Sequence, residues 1–213
     1  DPPTASNGSI LEQNETNNVA HLDILVGLYQ VFAGGTATEL RISDNVFVSA
    51  FTWNETDVTG SNVLVADTDS SLTFARLLAI GRNATNGTNV GVNDFQEIDN
   101  RLSTNTSNES INLTWTIGGS PVLLENITLF ARFIRDVPMI NSTNTTSFRT
   151  GILWDSADGG NAYNGSQDIA FITVMNQSKV GYYGTYDYEI KVPAPLRDYI
   201  AGGGTVTFYT EIA

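Results

Sequence analysis

Apolar side chains recur at every second position along much of this chain, and no other feature restricts its folding as strongly. Residues 19–33 read VAHLDILVGLYQVFA, with Ala20, Leu22, Ile24, Val26, Leu28 and Phe32 on one side and His21, Asp23, Gly27 and Tyr29 on the other. Period two over that length describes a long strand with one strongly apolar face. The same alternation predicts strands at Asn45–Trp53, Ile111–Ile117, Val122–Ile134, Phe148–Trp154, Ile169–Met175, Tyr182–Val192 and Thr205–Ile212. In INLTWTI, residues Ile111, Leu113, Trp115 and Ile117 share a face opposite Asn112, Thr114 and Thr116. In Val122–Ile134, Leu123, Ile127, Leu129 and Phe133 oppose Asn126, Thr128 and Arg132, and Glu125 interrupts the pattern. In the strand at 182–192, Tyr182, Tyr186, Tyr188, Ile190 and Val192 form the apolar face, which leaves Lys191 solvated. Ser71–Ile80 fits either period and is read as strand.

Turn clusters separate the strands: GRNATNGTN at 81–89, NSTNTT at 141–146 and DSADGGNAYNGSQD at 155–168. Helix is scarce. Asn93–Leu102 predicts a short one, with Asn93 as cap, Gln96 at the capping-box position and Phe95, Ile98 and Leu102 on one side. Pro195–Ala201 predicts a single turn stopped by Gly202–Gly204. Nine or ten strands with Gly-, Asn- and Ser-rich turns predict an all-β domain, a β-sandwich or jelly roll. It spans residues 19–213. Residues 1–18 are polar and hold two prolines, so they read as an arm outside it.

The polar surface is made with little charge. Charged residues are 15% of the chain, with 10 basic and 23 acidic groups and a net charge of −13. That balance speaks against binding to nucleic acid or an anionic membrane, both of which need basic patches. Asn, Thr and Ser instead number 21, 25 and 16 of the 213 residues. Asn-X-Ser/Thr sequons occur at Asn7, Asn14, Asn54, Asn83, Asn86, Asn105, Asn108, Asn112, Asn126, Asn141, Asn144, Asn164 and Asn176. Chance placement of the same residues gives about four such acceptor sequons, so 13 is a threefold excess. Dense N-glycosylation of a secreted protein is the reading this supports. The chain has no cysteine, which secreted eukaryotic glycoproteins usually carry for disulfides. Sequons without cysteine point to an archaeal exterior. Sparse charge suits an acidic habitat, because acid unfolds proteins mainly by protonating paired carboxylates.

The sequence opens Asp-Pro-Pro, with neither a basic nor an apolar leader segment, and this predicts a signal peptide already removed. No stretch of about 18 apolar residues predicts a membrane span. A filament core made by an N-terminal apolar helix is disfavoured, since residues 1–18 offer only Ile10 and Leu11.

Catalytic chemistry has little to stand on. His21 is the only imidazole, on the polar face of the first strand, and no G-X-S-X-G elbow is present. Trp53, Trp115 and Trp154 fit core-facing strand positions rather than a sugar-binding cleft. Asp155, Asp158, Asn161 and Asp168, with Asp67 and Asp69 in another loop, carry oxygens that suit calcium. The EF-hand spacing is absent, however, and the loop reads as a solvated turn with no metal. No enzyme, cofactor or metal site is expected.

What remains is assembly. A polar arm, Asp1–Asn18, precedes the LDILVG strand in a Cys-free β chain dense in sequons. This layout resembles that of archaeal extracellular filament subunits: the thread filaments of thermoacidophilic archaea and the related bundling pili. The resemblance implies an Ig-like or TasA-like β-sandwich head, an N-terminal donor strand, an N-glycan coat and a part in adhesion or biofilm. Donor-strand pairing adds an extended segment to an incomplete sheet of the next copy, giving a head-to-tail homopolymer. The donor is sought among Ile10, Leu11, Leu22, Ile24, Val26, Leu28 and Phe32. A monomeric secreted carbohydrate-binding or S-layer-associated glycoprotein domain is the alternative. More than half of the 13 sequons should carry glycan, so intact-mass analysis of the native protein should give far more than 23.0 kDa. A mass of 23.0 kDa would refute the glycoprotein reading.

Overall fold

A computed structural model describes residues 28–34, 40–41, 47–48, 60–66, 72–85, 87, 93–182, 184–197 and 207–212. Strands β1 (Tyr29–Gly34), β2 (Leu40–Arg41), β3 (Phe47–Val48) and β4 (Gly60–Ala66) come first. A 3-10 turn at Phe74–Arg76 leads into β5 (Leu77–Ala79), and helices α1 (Asn93–Arg101) and α2 (Ile111–Trp115) follow. A small hairpin, β6 (Thr116–Ile117) and β7 (Ser120–Pro121), precedes β8 (Leu123–Leu129), β9 (Arg132–Asn141), β10 (Arg149–Asp155) and β11 (Ile169–Val174). The chain continues through β12 (Lys179–Val180), β13 (Thr185–Tyr186) and β14 (Tyr188–Pro193) to β15 (Thr207–Ile212).

The fold is an all-β sandwich. Every strand pair is antiparallel. One sheet has the order β14-β1-β2-β3, and the larger one β15-β4-β11-β10-β9-β8, with β5 also paired to β10. Between the two sheets, Phe32, Ile190 and Val192 meet Val63, Val65, Ile152, Trp154 and Phe171. Phe95 and Ile98 of α1 and Ile111 and Trp115 of α2 join that cluster. The far face of the larger sheet is also buried. There Leu64, Leu153 and Ile172 pack with Leu77, Ile127, Leu129, Ile134 and Met139, which come from β5 and the β8–β9 hairpin.

The two sheets are joined at β14 by hydroxyls. Ser142 and Thr150, both fully buried, lie 2.8 Å apart. Ser142 donates to the Glu189 carbonyl at 2.7 Å, and the Lys191 N–H donates to Thr150 Oγ1 at 2.8 Å. Side chains thus satisfy an edge that would otherwise need another strand.

Three strand expectations are corrected. INLTWTI is helical through Trp115, because the region's polar groups cap a helix: Asp99 accepts from the Ile111 and Asn112 N–H groups at 2.6 and 2.9 Å, and Ser110 Oγ accepts from Leu113 at 3.2 Å. Helical spacing buries Ile111 and Trp115 and leaves Leu113 59% exposed. Val122–Ile134 is a hairpin, with Phe130 and Ala131 at φ 46° and 62° in the turn. Neither is a typical left-handed residue, but the Phe130 N–H is held by Glu211 Oε1 at 2.8 Å. Reversal there leaves Phe133 58% exposed. Ser71–Ile80 is a 3-10 turn followed by only three strand residues.

Lys191 is half-buried, its ammonium 5.5 Å above the Tyr29 ring, and burial lowers its pKa. The same face of β14 is further covered where Glu189 binds Thr143 and the Tyr182 N–H, and Tyr182 is itself exposed. Within Asn45–Trp53 only Phe47–Val48 is described, so Trp53 lies outside the described residues, as does His21. The helix expected at Asn93–Leu102 forms as α1, with Phe95, Ile98 and Leu102 buried.

Gly151 lets β10 pack tightly against β9, since a Cβ there would lie 2.7 Å from Val137 Cγ1 and 3.2 Å from Met139 Cε. Replacing Gly151→Ala should destabilise the fold by about 1–3 kcal/mol through overpacking. Denaturant unfolding measures this, and an unchanged midpoint would contradict the packing.

Candidate functional site

The sequon asparagines form the first candidate surface. Nine of the 13 lie among the described residues; Asn7, Asn14, Asn54 and Asn86 lie outside them. Asn105, Asn108, Asn126, Asn141, Asn144, Asn164 and Asn176 are exposed, and Asn83 and Asn112 are half-buried. Among the described residues the buried asparagine is Asn62, 1% exposed and outside any sequon. Asn126 sits on β8, where its Oδ1 accepts from the Asp136 N–H at 3.0 Å. A backbone donor must face the oxygen, so Nδ2, the atom that carries an N-glycan, turns outward. Asn164 does the same by accepting from the Ser166 N–H at 3.1 Å. Asn112, expected on a strand, occupies the first turn of α2 instead.

The donor-strand candidates divide between described and undescribed residues. Ile10, Leu11, Leu22, Ile24 and Val26 lie outside the described residues. Leu28 is half-buried, and its N–H donates to Glu109 at 2.9 Å. Phe32 is 8% exposed and lies within the chain's own core. It pairs with Ile190 in β14, and its ring meets Phe208 edge-on at 5.0 Å. Residues Tyr29–Gly34 therefore form an inner strand of this molecule, between β14 and β2.

The candidate calcium loop is tied up by backbone donors. Asp155 accepts from the Thr73 and Ala157 N–H groups at 2.6 and 2.8 Å. Asp158 accepts from the Asp168 N–H at 2.9 Å, and Asp168 lies 3.9 Å from Arg101. Asn161 receives the Thr85 hydroxyl. Asp67 and Asp69 lie outside the described residues. No group of three or more His, Cys, Asp or Glu side chains is arranged to hold a metal among the described residues.

Sequence patterning missed a set of buried carboxylates with the same structural task. Asp99 caps α2, and Glu189 takes the Tyr182 N–H at 2.8 Å and the Thr143 hydroxyl at 2.8 Å. Glu211 ties the β8–β9 turn to β15 and to Asn62. Asp187 takes the Ser178 N–H at 2.8 Å. An acid on an alternating strand reads as solvent-facing, and only the loop folded over it shows otherwise.

No family model, curated protein or solved structure matches this chain.

One carboxylate gives this network a pH signature. Asp94 is 4% exposed and accepts from the Gly81 N–H at 2.9 Å. Burial pushes its carboxyl up from 3.8 to about 6, with nearby Glu97 adding to the effect. The folded state then takes up this proton before the unfolded chain does. Stability from this site is therefore fully present below pH 3.8 and is lost as pH rises through about 6. Asp94→Asn keeps an acceptor for Gly81 and removes the charge. It should raise stability at pH 7.5 by about 1–2 kcal/mol and flatten the pH dependence between 6 and 4. Denaturant midpoints across that range measure it; an unaltered slope would contradict the assignment.

Proposed function

We propose that this chain is the structural subunit of an extracellular cell-surface filament, a pilus or thread, coated with N-glycans and serving adhesion or biofilm. Copies of the chain are its partners, joined head-to-tail by an extended segment donated from the N-terminal side. The observation that carries the surface part of this reading is the sorting of asparagines. All nine described sequon asparagines reach solvent, and the asparagine buried among the described residues, Asn62, belongs to no sequon. A glycan coat requires that arrangement.

The place of β1 refines the assembly part. Leu28 bonds Glu109 and Ala194 and Tyr29–Gly34 pairs with β14 in the chain's own sheet, which leaves residues 1–27 as the stretch in which a donated segment is to be sought. Leu22, Ile24 and Val26 are its strongest apolar anchors, since burying a large aliphatic side chain stabilises by about 1.5–3 kcal/mol. Ile10 and Leu11 extend the contact. Fully extended, a segment of that length reaches about 90 Å, ample for a neighbouring subunit.

The second reading, a monomeric carbohydrate-binding or S-layer-associated domain, is favoured by exposed aromatic rings, Phe130 at 46% and Phe133 at 58%. Within the filament reading, deletion locates the donor. A chain lacking residues 1–18 that still polymerises makes the arm a spacer and Leu22–Val26 the donor. A soluble, folded monomer from the same deletion makes the arm the donor. Full-length protein that stays monomeric at high concentration, with no filament on the native cell in electron micrographs, would overturn the filament reading.

A further inference from the structure

The chain carries only ten cationic side chains against 23 acids, yet four of its eight arginines gather around one groove. Arg82, Arg132 and Arg135 line it together with Phe133, Leu78 and Ile134, and its volume is about 320 Å³. Arg76 stands close enough to Arg132 to act on its charge. Arg82 is neutralised by an ion pair with Asp136. The others are not neutralised in this way. Arg132 donates to two neutral carbonyls, those of Phe74 and Leu77, each at 2.9 Å. Arg135 lies 5.5 Å over the exposed Phe133 ring. Among the described residues no carboxylate pairs with Arg76, Arg132 or Arg135.

Guanidiniums held close together on an otherwise acidic protein repel one another, and a bound anion would offset that cost. Guanidinium forks suit sulfate and carboxylate oxygens. The open Phe133 ring and the apolar floor of Leu78 and Ile134 suit the carbon face of a ring-shaped ligand rather than a bare ion. The volume matches a monosaccharide unit. A nucleic acid fits poorly, because the rest of the chain repels a polyanion at net −13.

We propose that this groove is a binding site for a sugar bearing a sulfate or carboxylate group, with Arg132 and Arg135 holding the anion and Phe133 covering the ring. Two sources can supply it. Two sequon asparagines flank the groove: Asn83 follows Arg82 directly, and Asn126 bonds the backbone of Asp136, the partner of Arg82. The sugar is then either a terminal residue of the chain's own glycans or part of an external polysaccharide. The first source rests on the glycosylation reading; the site itself does not.

The test titrates full-length protein with glucose 6-sulfate and glucuronic acid, followed by NMR shifts of the groove residues, with glucose and sodium sulfate alongside. Both acidic sugars should bind with millimolar dissociation constants, and glucose should not. Arg135→Gln should weaken binding about tenfold, the loss of one charge-assisted contact. Phe133→Ala should weaken it several-fold, and Lys179→Gln, an exposed cation away from the groove, should not change it. Equal binding of sodium sulfate, equal binding of glucose, or no effect of Arg135→Gln would overturn the proposal. Intact mass first establishes whether Asn83 and Asn126 carry glycan. Weaker probe binding by the glycosylated chain than by an Asn83→Gln/Asn126→Gln variant assigns the site to the chain's own glycan, and equal binding assigns it to an external sugar. Absence of binding by both overturns the site without touching the filament reading.

Discussion

The larger sheet is buried on both faces, and the rest of the molecule is arranged to cover it. Val63, Val65, Ile152, Trp154, Ile169 and Phe171 face the β14–β1 sheet. Leu64, Ala66, Leu153, Ala170 and Ile172 face the β8–β9 hairpin and β5. A sheet of this kind cannot leave either side in water, so each cover is needed for the other to matter. That requirement explains why β9 leaves its register with β10 and folds back with β8. It also explains why Gly151 lies where Val137 and Met139 press closest. β5 and β9 pair directly with β10, and the loops around these covering elements are held by short polar connections.

Those connections are made by oxygen acceptors. A Cys-free chain has no disulfides to hold loops over a core, and here buried carboxylates and hydroxyls hold them through backbone N–H groups. Asp99 fixes α2, Asp155 fixes the turn before β5, Glu189 fixes the loop at Tyr182 and Glu211 fixes the β8–β9 turn. A carboxylate bonded to N–H groups is stronger than a neutral acceptor, and leaving such a group unpaired inside the fold is costly. Each clamp is local, so failure of one opens one loop before it opens the core.

Much of this was legible in the sequence, and the misreadings have a common cause. The all-β class, the helix at Asn93–Arg101 and strands β10, β11, β14 and β15 follow from periodicity and turn residues. Period two fails where a tertiary partner overrides it. INLTWTI alternates perfectly, but the Asp99 carboxylate, twelve residues upstream of Ile111, caps it into a helix. VLLENITLFARFI has no turn residue at its reversal, Phe130–Ala131, and a Glu from the last strand stabilises it. Strands such as IAFITV, buried on both faces, carry no alternation to betray which side is which. The exposure of the described sequon asparagines was legible because the sequon is a local signal and exposure follows from its polar setting. The arginine groove was not, because Arg76, Arg82, Arg132 and Arg135 come together only when β5 and β9 pack.

In the proposed filament, Tyr29–Gly34 stays in its own subunit while the segment before it crosses to the next. Filaments assembled from an equal mixture of two differently isotope-labelled chains test this by solid-state NMR. Contacts between labels can arise only across subunits. The account predicts such contacts for Leu22, Ile24 and Val26, and none between Phe32 and Ile190, which pair within one chain. Cross-label contact between Phe32 and Ile190, or contacts of Leu22, Ile24 and Val26 confined to a single label, would contradict it.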